Sequence, residues 1–166
     1  MQVRPEEAAD RAAIRAVHAA AFPTDAEAGL VDRLRVNGRL TIGLVAAVDD
    51  AIVGHVAFSP VSVAGRSTGG LGLAPLAVLP SQQRHGVGSQ LVRAGLAKCH
   101  ELGAPFVVLL GHPEYYPRFG FRVASTFGLD NEYGATDSFF AIELQPGGVP
   151  PGGGMVRYAP EFAEPG

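Results

Sequence analysis

A short strand is predicted at residues 1–4. After it, hydrophobic and polar positions repeat at the period of amphipathic helices. A helix is predicted over residues 5–22, because proline and carboxylates at its start suit a first helical turn. Ile14 and Val17 lie on the apolar face of this helix. A second helix is predicted over residues 24–36, from a Thr or Asp cap to a terminating Asn-Gly pair. The chain therefore opens with a strand and two helices.

From residue 40 onward the pattern changes to extended chain. Residues 41–48 and 52–58 are apolar on both alternating faces, and Asp49-Asp50 between them predicts a hairpin turn. Residues 61–64 form a further short apolar run. Strands that are apolar on both faces are typical of a sheet that is covered on both sides, so we expect helices on both faces.

The middle of the chain predicts a crossover unit of strand, helix and strand. Residues 71–79 are strand-like, with an irregularity expected at Pro75. An amphipathic pattern then predicts a helix over residues 87–102, and residues 106–110 are an apolar strand. Two strands joined by such a helix run parallel, so the sheet should contain one parallel pair.

The last third of the chain is less regular. A short helical segment is predicted over residues 113–119, and strands over residues 120–123 and 138–144. Residues 146–154 are rich in glycine and proline and are typical of a flexible linker.

Composition narrows the class of protein. The chain has 166 residues, of which 47% are apolar, which suits one folded domain. A net charge of −3 and the absence of a basic stripe argue against nucleic-acid or anionic-membrane binding. Cys99 is the single cysteine, so no internal disulfide can form. No long apolar run and no signal-peptide pattern occurs, and we expect a cytoplasmic protein.

The loop over residues 83–89 carries the strongest chemical signal. It connects an apolar strand to a helix. Its glycines at 86 and 88 have no side chain, so a ligand can approach the backbone closely, and the N-terminus of the helix favours an anion. The alternative is a loop in which the glycines serve only a tight turn. A P-loop is excluded because no Gly-Lys-Ser/Thr occurs, and Leu91 replaces the third glycine of a dinucleotide-binding fingerprint.

Two motifs resemble those of the GNAT superfamily of N-acetyltransferases. The first is Gln/Arg-x-x-Gly-x-Gly after a strand ending Leu-x-Val-x-Pro, here residues 76–80 and 83–88. The second is Tyr-x-x-x-Gly-Phe at residues 116–121, whose spelling Tyr-Tyr-Pro-Arg-Phe-Gly-Phe is similar to a bacterial subgroup of predicted acetyltransferases. The resemblance covers residues 1–145 and implies an α/β fold: a mixed, mostly antiparallel sheet with helices on both faces and a central parallel strand pair. Residues 146–166 would form a Gly/Pro-rich C-terminal tail.

The resemblance implies acetyl-CoA as co-substrate. Backbone N–H groups of the loop would hold the pyrophosphate, and the end of the preceding strand would pair with the pantetheine arm. The implied cofactor-binding residues are Leu76, Ala77, Val78, Gln83, Arg84, His85, Gly86, Val87, Gly88 and Ser89. No metal is expected, since no Cys/His/Asp group has the spacing of metal ligands.

The resemblance also implies that Tyr116 donates a proton to the departing thiolate, a task that suits a phenol protonated at neutral pH. The alternative for Tyr116 is a ring that only packs against neighbouring phenylalanines. The general base is open: Glu27, His55 and His112 are candidates, although Glu27 could equally be a solvated helix residue and His55 suits a core histidine better.

Three functions remain open at this stage. The first is an N-acetyltransferase that acts by direct attack of a small-molecule or peptide amine in a ternary complex. The second is a non-catalytic acyl-CoA sensor, and the third is a structural domain with an incidental Gly-x-Gly. The order of the two motifs favours the first. Exposed strand edges make a homodimer reasonable.

Overall fold

The computed structural model describes residues 1–164, which contain three α-helices and nine strands. The helices are α1 (Arg11–Ala21), α2 (Ala26–Val36) and α3 (Val87–Glu101). The strands are β1 (Gln2–Pro5), β2 (Ile42–Val48), β3 (Ala51–Val63), β4 (Arg66–Val78), β5 (Phe106–Leu110), β6 (Arg122–Val123), β7 (Leu129–Asn131), β8 (Phe139–Glu143) and β9 (Gly154–Arg157). Over these residues, no helix combines the length and apolarity needed to span a bilayer.

The first helix begins later than predicted, at Arg11. Pro5 is the last residue of β1, an edge strand where a missing N–H is tolerated. A 3-10 turn separates β1 from α1, and the Glu7 N–H donates to Asp10 Oδ2 at 2.8 Å. Arg4 also donates to the Asp10 carboxylate, at 2.7 and 3.0 Å. These bonds stabilise the turn, so the proline marked the end of a strand and not the start of the helix.

The described residues form two compact units, of which the first holds residues 1–59, 74–95 and 160–164. In this unit β1, β2 and the first part of β3 are antiparallel neighbours. The turn between β2 and β3 is the predicted Asp49-Asp50 pair, with φ of 51° and 65°. Two successive positive φ angles match the right-handed twist of a hairpin, and aspartate tolerates them better than most residues.

Helices cover both faces of the sheet in this first unit, as predicted. On β3, His55 contacts His18 of α1, with ring nitrogens 2.9 Å apart. The neighbouring position Gly54 faces α3, and so does Phe58, whose ring lies against Gly95 of α3. Alternate residues of a strand point to opposite faces, so α1 and α3 lie on opposite sides of β3.

The second unit holds residues 60–73 and 96–159. Its β4 and β5 segments run parallel, with Leu71 paired to Val107 and Gly72 to Val108, which confirms the predicted parallel pair. β8 is antiparallel to both β5 and β6, so the sheet is mostly antiparallel, as predicted. The sequence pattern did not predict β7 and β9, which form a second parallel pair.

Residues beyond 145 contribute to the core of the second unit. β9 is antiparallel to the end of β3, and Val149 and Val156 are buried in a cluster that includes Phe106. The boundary between a domain at residues 1–145 and a tail at 146–166 stays a prediction, and residues 165 and 166 of that tail lie outside the described residues.

Gly95 is required for the contact between α3 and β3. A Cβ at this position would lie 2.4 Å from the ring of Phe58, which has no exposed surface. We expect Gly95→Ala to lower the free energy of unfolding by about 1–2 kcal/mol, because an overpacking cost of up to about 3 kcal/mol outweighs the gain of about 1 kcal/mol in helix propensity. Urea unfolding at neutral pH measures the change.

Gly29 of α2 provides the matched control. A Cβ there would approach only the flexible end of Arg33, at 3.0 Å. Gly29→Ala should therefore leave stability unchanged or raise it. Equal effects of the two substitutions would contradict the packing argument.

Candidate active site

The predicted phosphate loop joins β4 to α3 within the first unit. Residues 83–86 are exposed, whereas Val87 is only 3% exposed and anchors the first turn of the helix. The first i to i−4 hydrogen bond of α3 runs from the Gln90 N–H to the Gly86 carbonyl, at 3.1 Å. The N–H groups of Val87 and Gly88 precede that bond and lie at the positive end of the helix dipole.

Gly86 leaves open space in front of this turn. Its φ is +81°, and a Cβ built on it would have no protein atom within 4 Å. Arg84 also has a positive φ, of 67°, which is uncommon for a residue other than glycine. The loop is thus curved and exposed, with unobstructed backbone at the helix N-terminus, an arrangement that fits a diphosphate group.

Close packing behind the loop sets where α3 begins. Gly54 of β3 lies under the first two turns, and a Cβ there would come within 3.0 Å of Val87 and Leu91. The same Cβ would lie 3.3 Å from the carbonyl oxygen of Ala77. The lack of a side chain at Gly54 therefore lets the helix N-terminus approach the end of β4.

The other predicted cofactor residues lie on β4 and in the loop. Ala77 is buried, with 3% of its surface exposed, while Leu76 and Val78 are partly buried. Gln83 is exposed, and its side-chain amide donates to the carbonyl oxygen of Val78 at 3.1 Å. The structure thus brings the end of the strand and the start of the loop together through this hydrogen bond. His85 is exposed, and Gly88 and Ser89 are partly buried.

Tyr116 belongs to the second unit, where it begins a 3-10 turn after β5. Its ring packs closely on Gly111, since a Cβ at that glycine would lie 2.1 Å from Tyr116 Cε2. Four aromatic rings lie around it: those of Tyr115 at 5.0 Å, Phe121 at 6.0 Å, Phe119 at 6.2 Å and Phe140 at 6.5 Å between centroids. The ring is therefore held in one place by apolar neighbours.

The same apolar surroundings affect ionisation. Burial, and to a lesser extent Tyr115, raises the pKa of Tyr116 to about 12. The phenol therefore keeps its proton throughout the neutral range.

Cys99 is fully buried in α3, and burial raises the pKa of its thiol to about 12, as expected for a core cysteine. Within residues 1–164 no group of three His, Cys, Asp or Glu side chains is arranged to hold a metal ion.

His112 lies in the loop between β5 and Tyr116. It is exposed, and its carbonyl accepts the N–H groups of Tyr115 and Tyr116 at 3.1 and 3.4 Å. Its side chain borders an open depression of about 620 Å³. Arg118 also borders this depression, donates to the Tyr115 carbonyl at 2.8 Å and lies 4.5 Å over its ring. Arg118 thus anchors the short helical turn.

His55, the second candidate base, is completely buried in the first unit. Its Nε2 is 2.8 Å from Glu6 Oε1, and its Nδ1 is 2.9 Å from His18 Nε2. Arg35 in turn donates to Glu6 Oε2 at 2.9 Å. Both ring nitrogens of His55 are used inside the protein, which favours the alternative of a core histidine.

Sequence reasoning missed the partners of His55. Burial alone would raise the pKa of Glu6, but the hydrogen bond from His55 and the charge of Arg35 lower it below its usual value. The Glu6 carboxylate can only accept a hydrogen bond, so His55 Nε2 is the donor. When both imidazole rings are neutral, His55 Nδ1 therefore accepts from His18 Nε2. The sequence contains one signal for this contact: His18 lies four positions after Ile14, on the apolar face of α1.

The buried His18 should make the protein less stable in acid. Burial, followed by the charges of His55 and Arg35, lowers the pKa of His18 to about 3. An unfolded chain has a histidine pKa of about 6.5, so the unfolded state binds more protons between the two pKa values, and the free energy of unfolding falls as the pH decreases from about 6.5 to 3. We expect His18→Gln to reduce this slope by up to about 1.4 kcal/mol per pH unit. Urea unfolding at several pH values measures it.

His100→Gln is the control for that slope, because His100 is exposed on α3. It should leave the dependence of stability on pH unchanged. An identical slope in His18→Gln and in the wild type would contradict the assignment.

Glu27, the remaining candidate base, lies in the first turn of α2. It lines a cavity of about 240 Å³ with Arg33 and the C-terminal residues Glu161 and Phe162. Its Oε1 atom is buried and has no hydrogen-bond partner among the described residues. Glu161 is held by Arg39 at 2.8 Å, so the C-terminal segment forms one wall of this cavity.

The chain matches known proteins over most of its length. Residues 2–124 match the family described as acetyltransferase (GNAT) domain. An uncharacterized N-acetyltransferase of Escherichia coli K12, YhbS, is 43% identical over 143 residues, which cover 86% of each chain. A second one from the same strain, YjhQ, is 38% identical over 117 residues, which cover 68% of this chain and 65% of the relative.

Two crystal structures show the same fold. YhbS from Escherichia coli in complex with CoA has a TM-score of 0.93 at 40% identity, covering 99% of this chain and 93% of that one. A GNAT family acetyltransferase from Brucella melitensis in complex with acetyl-CoA has a TM-score of 0.83 at 37% identity, covering 97% of both chains. The sequence motifs, the sheet with its parallel pair and these similarities agree, and the chain belongs to the GNAT family of acetyltransferases.

Proposed function

We propose that this protein transfers the acetyl group of acetyl-CoA to a primary amine of a small molecule or peptide. The observation that carries the proposal is the exposed loop at the N-terminus of α3, where Gly86 leaves the backbone accessible. Two relatives at 40% and 37% identity were crystallised with CoA and acetyl-CoA, respectively, which supports the same co-substrate here.

The loop would hold the diphosphate through its backbone. With a net charge of −3, the protein does not attract an anion by bulk charge, so local N–H donors have to supply the attraction. The N–H groups of residues 84–89 are assigned this role, with those of Val87 and Gly88 at the helix N-terminus. Glycine at 86 allows the phosphates to reach them without a steric barrier.

The end of β4 would bind the pantetheine arm. An extended arm with two amides can pair with strand backbone as an added strand does, and Leu76 and Val78 are assigned this pairing. The Val78 N–H would polarise the thioester oxygen, the role of an oxyanion-hole donor. The bound co-substrate supplies an activated acyl group, and the amine attacks it directly in a ternary complex.

Tyr116 is the proposed proton donor to the departing sulfur. Its pKa of about 12 keeps the phenol protonated, and its aromatic neighbours restrict the ring to one position. An acceptor amine with a pKa of about 10.4 also has to lose a proton before attack. Glu27 and His112 are the proposed alternatives for that base, because both border open cavities, while His55 has no exposed surface.

Binding and turnover test the proposal separately. Saturation with CoA at 100 times Kd should stabilise the protein by about 2.7 kcal/mol, measured by thermal unfolding. Thiol release from acetyl-CoA is then followed across a panel of amines, amino acids and polyamines. Stabilisation together with amine-dependent thiol release supports the enzyme. Stabilisation without release by any amine would favour a non-catalytic acyl-CoA sensor, and no stabilisation would contradict both.

A further inference from the structure

Gln83 begins the phosphate loop, but its side chain is turned back toward the strand. Gln83 Nε2 donates to the carbonyl oxygen of Val78, the last residue of β4, at 3.1 Å. The donor and the acceptor are five positions apart in the sequence. The bond therefore closes a small ring that contains the 3-10 turn Pro80–Gln82.

The peptide group that accepts this bond is held from both sides. The Val78 carbonyl and the Leu79 N–H belong to one planar peptide unit. The Leu79 N–H donates to the Val53 carbonyl of β3 at 2.8 Å, while the carbonyl accepts from Gln83. The orientation of the peptide at the end of β4 is thus determined by the neighbouring strand, and Gln83 is tied to that fixed point.

The next residue depends on this attachment. Gln83 is extended, with φ of −67° and ψ of 153°, and Arg84 then has a φ of +67°. A left-handed conformation in a residue with a side chain is of higher energy and persists only where the surroundings hold it. Arg84 and His85 are exposed, and two bonds of Gln83 restrain the start of the curved loop: its N–H donates to the Pro80 carbonyl at 3.4 Å, and its side chain donates to the Val78 carbonyl at 3.1 Å.

We propose that Gln83 is a positioning residue for the phosphate loop and acts through the Val78 carbonyl. In the free protein its side chain holds residues 84–86 in the curved conformation before the co-substrate arrives. A loop that is already in the binding conformation loses less conformational freedom on binding, so its affinity is higher. The inference rests on the proposed function, because it assumes that this loop binds the diphosphate of CoA.

Gln83→Met tests the proposal, because methionine has a similar length but no N–H donor. In the free protein, we expect backbone order parameters of residues 84–86 from ¹⁵N relaxation to fall from about 0.85 to about 0.6. The Kd of CoA and the KM of acetyl-CoA should each rise by about 5- to 10-fold, with kcat unchanged within about twofold. A general loss of structure would instead lower kcat and the melting temperature together.

Two further variants sharpen the test. Gln83→Arg keeps N–H donors on a longer side chain and should restore the order parameters of residues 84–86 in the free protein. Gln82→Met is the matched control, since the structure shows no side-chain hydrogen bond for Gln82 within the described residues. It should leave both the order parameters and the Kd of CoA unchanged.

Three results would overturn the proposal: unchanged loop order in Gln83→Met, no restoration by Gln83→Arg, or a crystal structure with CoA in which Gln83 Nε2 has left Val78 and contacts a phosphate. Failure of the proposed function is a separate outcome. It would appear as a wild-type protein that does not bind CoA, whereas wild-type binding with an unaffected Gln83→Met variant refutes only the role of Gln83.

Discussion

Replacing Gly86 with valine should lower the affinity for CoA on the order of 100-fold while the protein stays folded. Two effects combine at this position. A β-branched residue at a φ of +81° is strained, and its Cβ would occupy the open space in front of the helix N-terminus. Isothermal titration of the free protein with CoA measures the loss.

Gly38→Val separates these two effects. Gly38 follows α2, has a φ of +73°, and a Cβ there would likewise meet no atom within 4 Å. We expect both variants to lose similar thermal stability through backbone strain, because the local conformations match. Only Gly86→Val should lose CoA affinity. Comparable CoA binding by the two variants would refute the assignment of the diphosphate site.

Tyr116→Phe should lower kcat by about 100-fold or more with little change in the KM of acetyl-CoA. The substitution removes only the phenolic oxygen, so the packing on Gly111 and on the surrounding rings is preserved. Loss of the proton donor affects the departing thiolate, and the co-substrate would still bind. Steady-state kinetics with an active amine measure the separation of the two parameters.

Tyr115→Phe is the control for this prediction. Its ring lies perpendicular to that of Tyr116, at 5.0 Å, so it shares the aromatic cluster but not the proposed chemistry. Its kcat should stay within about threefold of the wild type. Equal losses in both variants would reduce Tyr116 to a packing role.

The pH dependence of kcat offers an independent check on Tyr116. Its pKa of about 12 means that the donor form predominates below that pH. Activity should rise as the acceptor amine loses its proton and should show no decline from Tyr116 before about pH 11. A decline near pH 10 that disappears in Tyr116→Phe would indicate an ordinary tyrosine pKa and contradict the effect of burial.

The predicted strand, glycine loop and helix around residue 86 agree with the structure because their determinants are local, while diphosphate binding by this loop stays a prediction. Strand 71–79, the glycines at 86 and 88 and the amphipathic pattern of α3 adjoin one another in sequence. Each follows from backbone geometry or from hydrophobic period, and the observed helix starts at Val87. The parallel pair was predictable for the same reason, since one crossover unit encodes both strands and their connection.

Interactions between distant residues could not be read from the same patterns. β9 pairs with β3, nearly a hundred residues earlier, and its glycine-rich flank is typical of a linker when considered alone. His55 contacts Glu6 and His18 across 49 and 37 residues. A histidine within an apolar strand shows that a polar partner is needed, but the sequence does not indicate which residue provides it.

The sequence by itself determined the order of the elements other than β7 and β9, the position of the predicted parallel pair and the glycine loop at a helix N-terminus, because these depend on neighbours within a few residues. Only the tertiary structure decided that Gln83 bonds to a strand carbonyl and that His55 lies within a buried polar network. It also showed that aromatic packing raises the pKa of Tyr116. Burial and the direction of a hydrogen bond are set by packing between segments far apart in the chain, and they become defined only once those segments meet.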